Sequence, residues 1–294
     1  MISSLLSRVW LLLRLAVCAC RPSSKHPDFG ARASALEKMI IATRASDWAY
    51  ARSLAAACGV PFNASLLRLL AFRRETPLSQ RVVARARFLQ RHPKASQLVI
   101  IGAGYDTFGL HLPLRAVEVD HPSILDKKRR RLLQQRVDLS NTTYVPVNYA
   151  AKDIESALAD HVTDGPIVVI MEGVGPYLQP KELAELLAAL QRALPPSTPV
   201  FCDVVKPGPV QAFAAYRKAT AGLLRCALFG NQTLLGLLSL HINGSPFQLD
   251  VEASTILNNL GIKVVECLEV EAEGAYKYTY NNMRLLELET RALP

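Results

Sequence analysis

The run Gln97-Leu98-Val99-Ile100-Ile101 stops abruptly at Gly102-Ala103-Gly104. A stretch that is apolar at consecutive positions has no solvent face. At this length, closed by glycines, it reads as a central parallel strand buried on both sides. The same plan recurs downstream, where Ala116 to Val119 ends at Asp120, Thr143 to Val147 at Asn148 and Ile167 to Met171 at Glu172, with Val200 to Val205 as a fifth run. Helical stretches intervene, notably Ile154 to His161 and Lys181 to Leu194. Strands alternating with helices imply a doubly wound α/β sheet whose ligand site lies outside the carboxyl ends of the strands. Gly102 to Gly104, Asp120, Asn148 and Glu172 are therefore expected along one edge. Ahead of the sheet, Ala31 to about Leu89 is rich in alanine and leucine with helical spacing, as a helical cap would be. Behind it, Lys263 to Leu268 and Tyr276 to Leu288 read as strands of a closing hairpin on the sheet edge.

A chain that is 50% hydrophobic is too apolar to remain disordered, and its 294 residues contain no linker-like or repetitive tract, so one α/β domain with appendages is expected. The formal charge of +9 favours acidic partners such as RNA, anionic membranes or carboxylate substrates, without choosing among them. The densest basic run, Lys127 to Arg131, is predicted on a helix with Ile124, Leu125, Leu132 and Leu133 as its apolar stripe and the cations, Lys128 included, on a solvated face. The six cysteines form no C-x-x-C element and no zinc spacing, so no metal site is expected. Residues 1–25 carry arginines and a lysine but no acid, around an apolar run broken by Arg14. They read as a targeting or membrane-association segment: a mitochondrial-type presequence, a secretory signal or a basic interfacial helix.

At the strand ends, Gly102-Ala103-Gly104 permits close backbone approach to a ligand, although a dinucleotide fingerprint would need a further glycine where Thr107 stands. Asp120 can accept from both hydroxyls of a ribose, since an ionised acid offers acceptors only. The alternative for Asp120 is an N-cap for the helix that starts near Ser123.

Taken together, Ile101-Gly102-Ala103-Gly104-Tyr105-Asp106-Thr107, Glu118-Val119-Asp120-His121-Pro122, Met171-Glu172-Gly173 and Tyr177-Leu178 resemble, in order, the blocks of the leucine carboxyl methyltransferase family. Ser46-Asp47 through Arg52-Ser53-Leu54-Ala55 and Arg81 to Arg87 resemble the same family, most closely its branch acting in tRNA wybutosine synthesis. The likeness runs from about Lys38 to Val205 and fades after it. It implies a Rossmann-like class I methyltransferase, with a mostly parallel seven-stranded sheet, an N-terminal helical cap and S-adenosyl-L-methionine as cofactor.

By that resemblance Arg85 clamps the cofactor's methionine carboxylate, with Lys38 assisting and Arg81 or Arg87 as other candidates for the clamp. Gly102, Ala103 and Gly104 approach the methionine portion, Asp120 the ribose, and Glu172 the amino group. Asn148 stands where the family usually has aspartate before leucine, so Asn148 and Tyr149 are expected at the adenine. No catalytic residue is assigned, because an α-carboxylate substrate is already ionised at neutral pH. A phenol or alcohol would need a base, for which His121 and His241 are candidates. The layout implied is a helical cap over 26–95, a cofactor-binding core over 96–205, a substrate lid over 206–250 and closing strands over 251–294. The acceptor is expected to be a carboxylate on a protein, a modified tRNA base or a small molecule, in the cytoplasm or mitochondria. The competing reading is a non-catalytic binding protein that keeps the fold and the cofactor.

Overall fold

The computed structural model describes residues 27–60, 62, 64, 77–147, 151–175, 178, 180–205, 263–269 and 283–289. Three helices precede the sheet: α1 (Pro27–Arg44), α2 (Trp48–Cys58) and α3 (Pro77–Arg91). There follow β1 (Gln97–Ile101), a 3-10 turn (Phe108–His111), β2 (Arg115–Asp120), α4 (Pro122–Gln134), β3 (Thr142–Pro146), α5 (Ala151–Ala159), β4 (Ile167–Met171), α6 (Pro180–Ala193) and β5 (Pro199–Val205). The last described elements are β6 (Lys263–Glu269) and β7 (Met283–Glu289).

The strands form one sheet in the order β3-β2-β1-β4-β5-β7-β6. β1 to β5 run parallel, and β7 lies antiparallel to both β5 and β6. The carboxy-terminal strands thus pair with each other as expected, but the later one inserts against β5 and leaves β6 at the edge. Residues 276–282, expected to extend β7, lie outside the described residues. The strand order reverses between β1 and β4, which opens a crevice at their carboxyl ends.

Both faces of the central strands are covered, which is why the runs show no alternation. Val99, Ile101, Val117, Val119, Val169 and Met171 pack on Ile154 and Leu158 of α5 and on the apolar face of α6. The intervening residues Leu98, Ile100, Val168, Ile170 and Phe201 pack on Ala84 and Phe88 of α3. A second core joins α1 and α2 to Tyr105 and to Ile124 and Leu132 of α4. Among the described residues no helix is long and apolar enough to cross a membrane.

The basic run does not form a purely solvated face. On α4 the buried residues are Ile124, Leu125, Lys128 and Leu132, whereas Leu133, expected in the apolar stripe, is 53% exposed. Lys128 is 0% exposed. Its ammonium is 2.5 Å from Glu118 Oε2 and also donates to the Asp106 carbonyl. The reason is periodicity: Lys128 lies one helical repeat from both Ile124 and Leu132, so the stripe carries it inward. Glu118, flanked by Val117 and Val119 on the opposite face, is the strand residue that meets it. Arg131 is likewise engaged, donating at 3.0 Å to the carbonyls of both Ala57 and Cys58. These belong to the last turn of α2, whose terminal carbonyls have no partner within the helix.

Candidate active site

The chain after β1 turns through Gly102 (φ 74°) and Gly104 (φ 53°), a left-handed path that side chains with a Cβ resist. The Gly102 N–H donates to the Val119 carbonyl at 2.8 Å, so the loop stays tied to the end of β2. Asp120 completes the tie: its Oδ2 accepts from the Gly104 N–H at 2.5 Å and its Oδ1 from the His121 N–H at 2.6 Å. Asp120 thereby ties the glycine loop to the backbone that follows β2. Asp120 is not the cap of α4. That place belongs to His121, whose side chain accepts from the Ser123 N–H, followed by Pro122 in the first turn. Asn148 and Tyr149 lie outside the described residues, as does His241.

At the reversal point the structure gathers a buried ionic cluster. Arg85, from α3, sends one guanidinium nitrogen to Glu172 Oε2 at 2.8 Å and to Asp106 Oδ2 at 2.9 Å. Lys38, from α1, reaches Asp106 Oδ2 at 2.6 Å and Glu172 Oε1 at 2.9 Å. The Tyr50 hydroxyl donates to Asp106 Oδ1 at 2.7 Å. The Arg85 guanidinium also lies 4.0 Å from the centre of the Phe108 ring. The expected Arg85 and Glu172 are therefore direct neighbours, and Lys38 joins them. Of the other arginines weighed for the clamp, Arg87 is exposed and Arg81 pairs with Asp203. Asp203 in turn accepts from the Gly173 N–H at 2.7 Å and so fixes the loop that carries Glu172.

Burial alone would push the carboxyls of this cluster up. Lys38 and Arg85 overcome it, holding Glu172 down at about 2 and Asp106 far below the ordinary aspartate range. Burial and the Asp106 charge raise the Tyr50 phenol, which stays protonated and able to donate. The cluster is thus two cations and two anions at neutral pH. Among the described residues Glu172 Oε1 is buried without an aligned hydrogen bond, since Lys38 lies near it but off the hydrogen-bond line, which leaves it open to a donor. Beside it, a Cβ built on Gly173 would meet no described residue within 4 Å. An α-amino acid end fits these residues, its carboxylate facing cations and its ammonium facing Glu172.

Tyr50, Asp106 and Asp203 received no role from the sequence. Asp106 stood within a family block, and its acidity beside the glycine loop was the available signal. Tyr50 also stood within a family block, Ser46 to Ala55, without a role, and Asp203 carried no signal, since its partner Arg81 is distant along the chain. Among the described residues no group of histidine, cysteine, aspartate and glutamate could hold a metal ion.

A sequence profile of leucine carboxyl methyltransferases matches residues 31–191. No curated protein matches the chain. Solved structures similar to it include an O-methyltransferase family protein from Burkholderia thailandensis (14% identity over 82% of this chain and 60% of that one, TM-score 0.46). Another is the magnesium protoporphyrin IX methyltransferase of Synechocystis with bound SAH (11% identity, 76% and 92%, TM-score 0.45). A third is a possible exported protein of Bordetella parapertussis (15% identity, 93% and 100%, TM-score 0.46). The chain spans 56% to 60% of the length of several of the O-methyltransferases it matches.

Proposed function

Because the chain belongs to the leucine carboxyl methyltransferase family, we propose that it is an S-adenosylmethionine-dependent methyltransferase that methylates a carboxylate oxygen of its acceptor. The observation that supports the reading is the buried Lys38, Arg85 and Glu172 group at the sheet reversal, complementary in charge to the methionine end of the cofactor. When bound, S-adenosylmethionine supplies an electrophilic methyl group on a sulfonium. In this reading Arg85 and Lys38 orient the methionine carboxylate, Glu172 takes its ammonium, and the Gly102 to Gly104 loop lies against the methionine chain. Asp120 accepts from the ribose hydroxyls, and Asn148 with Tyr149 receives the adenine.

A carboxylate acceptor needs no proton removed, so alignment and exclusion of water carry the rate. His121 is already used as a helix cap through Nδ1, which does not suit it to a proton-relay role at that atom. In the same reading residues 26–95 form a cap over the 96–205 core of a class I fold, 206–250 a substrate lid and 251–294 the closing strands. Residues 1–25 serve as a targeting or membrane-association element of a cytoplasmic or mitochondrial enzyme.

Two measurements test this. Titrating the full chain with S-adenosylmethionine or S-adenosylhomocysteine raises its melting temperature, by about 2.7 kcal/mol of stabilisation at a ligand concentration one hundred times Kd. No shift with either, alongside a shift with NAD, sinks the cofactor assignment. With labelled cofactor and a cell extract as the acceptor pool, mild alkali then releases the label as methanol, the behaviour of a methyl ester. Label that resists alkali excludes a carboxylate, and binding without any transfer favours the non-catalytic reading.

The ribose placement has its own test. Asp120→Ala removes a charged acceptor and weakens cofactor binding by about 1.5 to 3 kcal/mol, tenfold or more by calorimetry. It also lowers the melting temperature without ligand, because Gly104 and His121 lose their acceptor. A lower melting temperature with unchanged affinity would leave Asp120 a purely structural pin.

A further inference from the structure

An α-amino acid end brings one carboxylate and one ammonium, yet the subsite holds two cations, Lys38 and Arg85, beside the single acid Glu172 that faces the ammonium. Without a second acid the bound state would bury an excess positive charge, which a water-excluded site disfavours strongly. Asp106 supplies that acid, but it has nothing left to offer a ligand. Its Oδ2 accepts from Lys38 and Arg85, and its Oδ1 from the Tyr50 hydroxyl and the Phe108 N–H at 3.0 Å. Those four donors occupy the acceptor capacity of a carboxylate. Its backbone is held as well, by its own N–H on the Ala103 carbonyl and by Lys128 on its carbonyl oxygen.

We propose that Asp106 is a specificity-determining residue that acts through Lys38 and Arg85: its fixed negative charge balances the subsite so that a zwitterionic α-amino acid end is preferred over one that is only anionic or only cationic. This rests on the cofactor reading above. It assigns Asp106 no contact with the ligand and no part in methyl transfer. Asp106→Asn keeps the shape and removes the charge, leaving the subsite with a net positive charge. Ligands with a carboxylate alone then gain relative to the zwitterion, and ligands with an ammonium alone lose most.

The experiment is calorimetric titration of full-length protein with S-adenosylhomocysteine, its desamino analogue and its decarboxylated analogue. In Asp106→Asn the preference for S-adenosylhomocysteine over the desamino analogue falls by at least about tenfold, as expected of a unit charge acting over a few ångströms in partly screened protein. Tyr50→Phe, which leaves the Asp106 charge in place, keeps the preference within about twofold of the native value. Lys38→Gln shifts it in the opposite sense, and adding Asp106→Asn to Lys38→Gln restores neutrality and brings it back. This last pair of variants carries the test if Asp106→Asn alone does not fold. Uniform weakening of all three ligands with an unchanged preference overturns the proposal and leaves the cofactor reading standing. Absence of binding by the native chain overturns both.

Discussion

Lys128→Ala lowers the stability of this protein by about 3 to 5 kcal/mol, the cost of stranding one member of a buried ion pair. Lys128 and Glu118 are both 0% exposed and lie 2.5 Å apart. Burial already pushes the Glu118 carboxyl up despite the lysine, and its Oε1 is buried with no hydrogen-bond partner. Removing the ammonium takes away the one charge that compensates it, and the Asp106 carbonyl loses a donor in the same step. Thermal denaturation reads the loss as a fall in melting temperature on the order of 10 °C. Replacing both partners, with Lys128→Met and Glu118→Leu, recovers most of it, since a hydrophobic pair of similar volume costs no desolvation. A single alanine variant that melts within about 1 °C of the native protein would show that the lysine is solvated after all. By contrast Arg130→Ala, on the exposed side of the same helix, changes stability by under about 0.5 kcal/mol.

The difference between Lys128 and its neighbours shows what the sequence made legible and what it did not. Local period is written in the chain: Leu98 to Ile101 and Ile167 to Met171 lack alternation because each strand is covered on both faces, and this alone specifies a layered parallel sheet. The polar residues that end those runs were legible too as strand-end positions, Glu172 among them, at the edge where folds of this kind place their ligand sites. Partnership across the chain is not written in any period. Nothing local says that Arg81 finds Asp203, or that Tyr50 and Lys38 converge on Asp106. The charge of Lys128 suggests a solvated face, but its spacing from Ile124 and Leu132 decides its place and carries it inward. Asp120 was weighed as a cap because acids commonly cap helices, but the fold gives that role to His121 and uses Asp120 to hold the glycine loop. Asn148 is legible as a strand-end residue, while the adenine role of Asn148 and Tyr149 rests on the family resemblance.

In the proposed reading Arg85 carries two jobs, counter-ion to Glu172 and Asp106 and clamp for the cofactor carboxylate, and separating them needs two substitutions. Arg85→Ala takes an ion-pair partner from both Glu172 and Asp106, so it destabilises the protein by about 3 to 5 kcal/mol, as broken buried pairs do. Its effect on binding is then confounded with folding. Arg85→Lys retains the positive charge, and with it most of the stability. It loses the planar fork that matches a carboxylate with two parallel donors, as well as the stacking on Phe108. The lysine variant therefore melts within a few degrees of the native protein but binds S-adenosylhomocysteine at least about tenfold more weakly, the loss expected of a hydrogen bond to a charged group. The decarboxylated analogue distinguishes the jobs further: having no carboxylate to lose, it binds the lysine variant and the native protein within about threefold of each other. Equal binding of S-adenosylhomocysteine by both would place the cofactor carboxylate elsewhere and leave Arg85 a structural counter-ion for Glu172.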